Sequence, residues 1–290
     1  MCLIAFAIDA APGCPLLIAA NRDEDHQRPT APLHRWRLDD GTEVLGGRDL
    51  RDGGTWMGVG MNGRIAMLTN VRQQQAGPGS RSRGELVTRW LQGHADDEQL
   101  AAAIDPAAYG GFNLVVGDFH RQRWSWLSNR RPDAPHEPHP PALHHQALTP
   151  GIYGLSNASL DTPWPKTLRL KQAMVEALAG VREPGDPPHW MQPLSRALAD
   201  SQPAAEADLP HTGVPDDMER ALSSPFVHMP GRAYGTRSSL VVRIQPQAQA
   251  LGRWQVSLDE WTHAQAPTAP GVVHTAGAAP PVHRSETLVW

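Results

Sequence analysis

The sequence predicts an α+β protein built on antiparallel sheet and covered by helices. Three observations point there. Strand-like segments arrive in hairpin pairs, helical segments arrive in runs between those pairs, and regular strand–helix alternation is missing. A doubly wound parallel sheet needs that alternation; an antiparallel architecture does not.

The elements follow in order. Residues 3–8 and 16–20 are short apolar runs flanking Pro12, Gly13 and Pro15, which is turn chemistry. A chain that begins as a buried strand is uncommon, because termini fray unless something holds them. Residues 55–59 and 64–68 flank Asn62-Gly63, the strongest short-range hairpin signal. After a loop over 73–80, Ser82 and Glu85 have capping-box spacing, and Leu86, Val87, Trp90 and Leu91 mark one helical face. Residues 96–104 read as a second helix antiparallel to it, and 112–116 with 124–127 as another strand pair. Residues 130–150 form a Pro- and His-rich loop, and 152–155 return to strand. A helix over 164–179 is closed by Gly180, a fourth spans 190–199, and 201–215 make a polar surface excursion. Residues 236–244, 254–258 and 287–290 are the closing strands. No repeat or linker interrupts residues 1–290, so one domain is expected.

Composition narrows the class. The 290 residues carry 26 Lys plus Arg against 30 Asp plus Glu, a net charge of -4, which argues against a nucleic-acid partner. No window reaches the roughly 18 unbroken apolar residues of a membrane span. The run 3–8 stops at Asp9 without a basic flank, so no signal peptide is expected. The two cysteines, Cys2 and Cys14, are then expected in a reducing cytoplasm, without a disulfide framework. Lys166 and Lys171 are the only lysines. Arg suits carboxylate and phosphate recognition, although with so much Ala and Pro a genome-wide codon bias explains the imbalance more cheaply. Ten Trp against four Phe and three Tyr point to core or pocket wall.

Cys2 carries the most chemistry. Removal of Met1 leaves a thiol beside a free α-amine, whose ordinary pKa values of about 8.5 and about 7.7–8.0 make proton transfer between them cheap. Nucleophile and base then share one residue; the alternative is an ordinary buried strand cysteine. Asn21-Arg22-Asp23-Glu24 follows the second apolar run, where the hairpin returns beside the terminus. A carboxylate there can hold the ammonium and an Arg can favour thiolate, or the four residues are a solvated strand-end turn. Asn70 and Asn157 each end an apolar run; such amides stabilise oxyanions or simply suit turns.

Met1-Cys2-Leu3-Ile4, Asn21-Arg22-Asp23-Glu24, Gly46-Gly47-Arg48-Asp49 and Gly54-Thr55-Trp56-Met57-Gly58 stand in one order with three later motifs. These are Leu68-Thr69-Asn70-Val71-Arg72, Tyr153-Gly154-Leu155-Ser156-Asn157 and Tyr234-Gly235-Thr236-Arg237-Ser238-Ser239. Over residues 1 to about 244 the chain thereby resembles the NRDE family, the transport-and-Golgi-organisation type 2 proteins. That family is in turn similar to N-terminal nucleophile hydrolases such as the choloylglycine hydrolases. The resemblance implies a four-layer αββα sandwich with mostly antiparallel sheets and the nucleophile at the start of a central strand. It implies Cys2 as nucleophile, Asp23 as the carboxylate holding the amine, and Asn70 and Asn157 in the oxyanion and amine network. Those amidases carry an Arg where this chain has Ala20; Arg22 is the substitute candidate. Arg237 is a candidate for a substrate carboxylate or phosphate, or a packed structural Arg.

The implied activity is hydrolysis of a carbon–nitrogen amide or related acyl bond of a small molecule, without cofactor or metal. The rival is a non-catalytic carrier of haem, lipid or acyl-CoA using the same cleft. His136, His139, His144 and His145 could ligate a metal or haem, but their spacing fits no closed site and Pro138, Pro140 and Pro141 keep the segment extended. Gly46-Gly47 and Gly53-Gly54 are not phosphate loops, since neither leads into Gly-Lys-Ser/Thr.

Overall fold

The computed structural model describes residues 2–73, 77–137, 139–181, 188–229, 231–247, 252–263 and 280–290. Met1, Pro138 and the 74–76 part of the expected loop lie outside the described residues. In chain order the strands begin with β1 (Cys2–Ala11), β2 (Cys14–Asp25), β3 (Thr30–Arg37), β4 (Glu43–Asp49), β5 (Met57–Gly60) and β6 (Arg64–Asn70). Helices α1 (Gly84–Leu91) and α2 (Asp97–Ala102) precede β7 (Phe112–Asp118), β8 (Arg123–Ser128), β9 (His144–Ala147) and β10 (Gly151–Leu155). Next come α3 (Pro165–Gly180), α4 (Gln192–Leu198) and α5 (Asp216–Ala221). The last strands are β11 (Tyr234–Pro246), β12 (Trp254–Thr262) and β13 (Val282–Val289).

Two sheets result, ordered β10-β1-β2-β11-β12-β13 and β3-β4-β5-β6-β7-β8-β9, with antiparallel pairing throughout. Side-chain alternation assigns the layers. Ile4, Phe6, Ile8, Leu16 and Ile18 meet Met57, Val59, Ile65, Met67 and Val115 between the sheets. The opposite face of β1 and β2, with Leu3, Ala5, Leu17 and Ala19, packs on Leu170 and Met174 of α3 and Leu194 of α4. On the other sheet, Ala66, Leu68, Leu114 and Val116 receive Leu86, Val87 and Trp90 of α1. The arrangement is the αββα sandwich. With both faces covered, the Leu3–Ile8 stretch of β1 is buried throughout, and each such large side chain contributes about 1.5–3 kcal/mol. That is what ties down the terminus.

Several local expectations change. The Asn21–Glu24 motif is the continuation of β2 rather than a turn after it, because β1 and β11 pair with it on both sides. Ser82 does not cap α1: Arg83 is its N-cap residue without a side-chain cap, and Glu85 is bound instead by Arg81 and the Tyr109 hydroxyl. The capping box is at Asp96 and Gln99, opening α2. The His-rich loop contains β9, in which His144 and His145 pair with Ser128 and Leu127 of β8. Gly180 is the last residue of α3, not its cap. Strands β3 and β4 form where Pro32 and Gly46-Gly47 blur the alternation, with a register shift between Ala31 and His34. The Asn62-Gly63 turn is as expected, Gly63 adopting φ +78°.

Candidate active site

The site forms at one end of the sandwich, where β1 begins. Cys2 pairs with Arg22 and follows the row of Ile4 and Phe6 that faces the second sheet. The residues of β2 divide by alternation. Arg22 faces the cleft between the sheets, and Asn21 and Asp23 face the helices. Arg22 lines that cleft with Thr30, Pro32, Trp56, Arg237 and Glu260. Its guanidinium donates to Thr30 Oγ1 at 3.3 Å and to Glu24 Oε2 at 3.4 Å. Arg237, at a register shift of β11, donates to the backbone carbonyls of Asp25, His26 and Arg28, the last at 2.7 Å. It is therefore at once a brace for the β2–β3 turn and a wall of the cleft.

Asn21 is structural. Its amide donates to the carbonyls of Leu198 and Pro225, and its oxygen accepts from Ser239 Oγ at 2.6 Å, stitching α4 and the segment before β11 to β2. Asp23 is 1% exposed. Thr236 Oγ1 donates to its Oδ1 at 2.7 Å, and Tyr234 Oη donates to its backbone carbonyl. Burial raises the Asp23 carboxyl above the ordinary Asp value, against the opposing pull of Lys166, the terminal amine, the Thr236 bond and Arg72. Cys2 is also buried, and in the chain that still carries residue 1 burial pushes its thiol up to about 11. The terminal amine and Arg22 favour thiolate; Asp23 and Glu24 oppose it.

Asn70 ends β6 and Asn157 follows β10. The two come together: Asn157 Nδ2 donates to the Asn70 carbonyl at 2.8 Å, and Arg72 N donates to the Asn157 carbonyl at 2.8 Å. Ser156 Oγ donates toward both the Cys2 carbonyl and Asn157 Oδ1, at 3.1 Å and 3.2 Å. Thr69 Oγ1 donates to the Ser156 carbonyl at 2.6 Å and accepts from Asn113 Nδ2 at 3.2 Å. This chain of buried polar groups joins the two sheets directly behind the start of β1.

Sequence reasoning missed three cations. Lys166, 1% exposed, donates to the Leu222 carbonyl at 2.9 Å, and its electrostatic neighbours include Asp23 and Cys2. Arg72 forms a buried ion pair with Glu219 at 2.5 Å and lies over the Trp164 ring. Arg83 donates to the Gly111 carbonyl and interacts electrostatically with Glu24 and Cys2. For Lys166 the signal existed: on a helix it continues the stripe of Leu170, Ala173 and Ala177, an apolar face with one charge in it.

The four loop histidines diverge. His136 Nδ1 bonds the Arg72 carbonyl and its ring stacks on Trp164, His139 bonds the Pro140 carbonyl, His144 pairs with Ser128 in the sheet, and His145 bonds Asp97. Among the described residues no group of three or more His, Cys, Asp or Glu gathers to hold a metal ion, and no helix is long and apolar enough to cross a membrane.

A family model described as "Transport and Golgi organisation 2" matches residues 1–251. The human "Transport and Golgi organization protein 2 homolog" is 34% identical over 293 residues, covering 90% of this chain and 99% of that protein. The Drosophila melanogaster "Transport and Golgi organization protein 2" is 28% identical, covering 85% and 89% respectively. Among solved structures, a Caenorhabditis elegans N-acylethanolamine-hydrolyzing acid amidase ortholog has a TM-score of 0.47 at 13% identity, over 82% of this chain and 91% of that one. The C2A mutant of a Clostridium perfringens conjugated bile acid hydrolase has a TM-score of 0.40 at 10% identity, over 88% and 91%.

Proposed function

The chain belongs to the Transport and Golgi organisation 2 family, and from that premise we propose that it is an N-terminal-cysteine hydrolase cleaving an amide or related acyl bond of a small molecule. One observation carries this reading: Cys2 is buried at the start of a strand inside the sheet, paired with Arg22 and so beside the buried carboxyl of Asp23. Once residue 1 is removed, the amine belongs to Cys2 itself. It takes the thiol proton, sulfur attacks the acyl carbon, and the carbonyl electrons move to oxygen. Asn70 and the second amide hydrogen of Asn157 receive that oxyanion, each such donor being worth roughly 100- to 1000-fold in rate. Collapse breaks the carbon–nitrogen bond and returns the proton to the leaving amine. Water, deprotonated by the same α-amine, then hydrolyses the thioester. Asp23 orients the amine. Arg22 and Arg237 in the cleft favour a substrate bearing a carboxylate or phosphate.

The test is intact mass and peptide mapping of the purified protein around a limiting dose of iodoacetamide near pH 7. The expected result is a chain lacking Met1 whose Cys2 is alkylated well ahead of Cys14, with loss of that reactivity in chains retaining Met1. A Cys2 no faster than Cys14 overturns the reading. Cys2→Ser or Cys2→Ala is expected to abolish turnover in an amide screen.

A further inference from the structure

A fully buried lysine needs a reason, because taking its charge out of water costs several kcal/mol unless an anion compensates. Lys166 is the second residue of α3 and points into the protein from the face that packs on β1. Its ammonium is fixed rather than wandering. It donates to the Leu222 carbonyl at 2.9 Å, the carbonyl that Arg72 Nη2 also reaches at 3.5 Å, and both cations lie over the Trp164 ring.

The charged and titratable groups that act on Lys166 come from several elements: Arg72 after β6, Asp23 on β2, Cys2 on β1 and Glu219 on α5. The Tyr234 phenol on β11 is held neutral by burial and by Asp23. Glu219 is committed to Arg72 at 2.5 Å and to the backbone N–H of Thr212 at 2.6 Å. Lys166 and Asp23 share one compartment: Leu222, whose carbonyl Lys166 holds, packs on Val227, and Val227 N–H donates to the same Thr236 hydroxyl that donates to Asp23 Oδ1.

We propose that Lys166 is a positioning residue for the nucleophile: its fixed ammonium balances the Asp23 carboxylate, so that the α-amine of Cys2 can stay unprotonated and accept the thiol proton. Without it, the buried carboxylate is balanced by keeping the amine protonated, and a protonated amine is no base. The same ammonium favours the thiolate. Burial beside Arg72 brings Lys166 itself down to about 8, so its influence fades in alkaline solution.

This inference rests on the hydrolase reading above, and one experiment separates their failures. The rate of Cys2 alkylation by iodoacetamide is followed from about pH 5.5 to 10 in the mature full-length protein, with Cys14 as internal reference. Wild type, Lys166→Met and Lys166→Arg are compared. Lys166→Met is expected to move the midpoint up by about one pH unit, roughly a tenfold slower reaction near pH 7. The difference from wild type closes above about pH 9, where Lys166 has lost its proton. Lys166→Arg keeps the wild-type profile at neutral pH. Should the Met variant not fold, Lys166→Gln, which retains a donor without the charge, answers the same question. A Lys166→Met profile that overlays wild type, or an equal shift in Lys166→Arg, overturns the role of Lys166 alone. A wild-type Cys2 no faster than Cys14 at every pH overturns both.

Discussion

Burial disfavours the ionised forms of both Asp23 and Cys2. Because burial raises the folded-state pKa of Asp23 above its unfolded value, the stability linked to its protonated form is fully present below the ordinary Asp value near 4 and is lost as pH rises through the raised one. Asp23→Asn, which cannot ionise, is therefore expected to gain stability relative to wild type between pH 4 and pH 7 while losing the reactivity of Cys2. Urea midpoints at the two pH values check the sign; a gap that stays constant would refute it. The neighbouring Lys166 left a trace in the sequence, one charge in the apolar stripe of α3, but a lysine on a helix is ordinarily solvated. The depth of α3 against the sheet then buries the charge.

Strand pairs with local turn chemistry were legible: Asn62-Gly63 and the Pro12-Gly13 turn fix their hairpins without help from the rest of the chain. Elements whose formation depends on distant partners were not. Strand β9 exists because β8 offers it an edge, and because Asp97 of α2 reaches it through His145 Nε2 at 3.1 Å. Asp97 also accepts from Ser125 Oγ at 2.5 Å and pairs with Arg123. These partners outweigh its burial and lower its pKa, so their stabilisation is present above the ordinary Asp value and lost as pH falls through the lowered one. Asp97→Asn is expected to cost about 1–3 kcal/mol at pH 7, and urea titrations should show that penalty shrinking below pH 4. Likewise, Gly54 admits no side chain: a Cβ there would lie 2.6 Å from the Gly84 carbonyl carbon, a contact between β5's approach and α1 that no local pattern announces.

At the scale of the molecule, the two ends of the sandwich have different work. One holds the proposed site; the other is closed by Phe119, Trp254 and Trp290, whose indole donates to the Gly60 carbonyl at 2.9 Å. Six residues of strand separate the Arg22 and Leu16 levels of β2, roughly 20 Å at the usual rise. Trp290→Ala should therefore lower stability by about 2 kcal/mol and leave Cys2 alkylation at its wild-type rate; a slowed Cys2 would mean the ends are coupled. Antiparallel sheet covered by helices was legible because hairpins and helices came in separate groups; the stacking of two sheets into four layers came only with the family resemblance. The partition of the 21–24 motif between two chambers was not, since it requires knowing that the strand continues and what covers each face.

That partition makes the site a matter of phase. β2 presents Asn21 and Asp23 to one compartment and Arg22 to the other purely by the two-residue period of a strand. Lengthening the Pro12-Gly13 turn by one residue, with β2 slipping to match, would send the carboxylate into the cleft and the guanidinium beneath α3, inverting Leu16 to Ala20 as well. A two-residue slip would restore the sides yet carry Asp23 about 7 Å along the strand from its present place beside the start of β1. The tetrapeptide is thus not a portable cassette: transplanting its chemistry onto another sheet means transplanting the hairpin that keeps time for it.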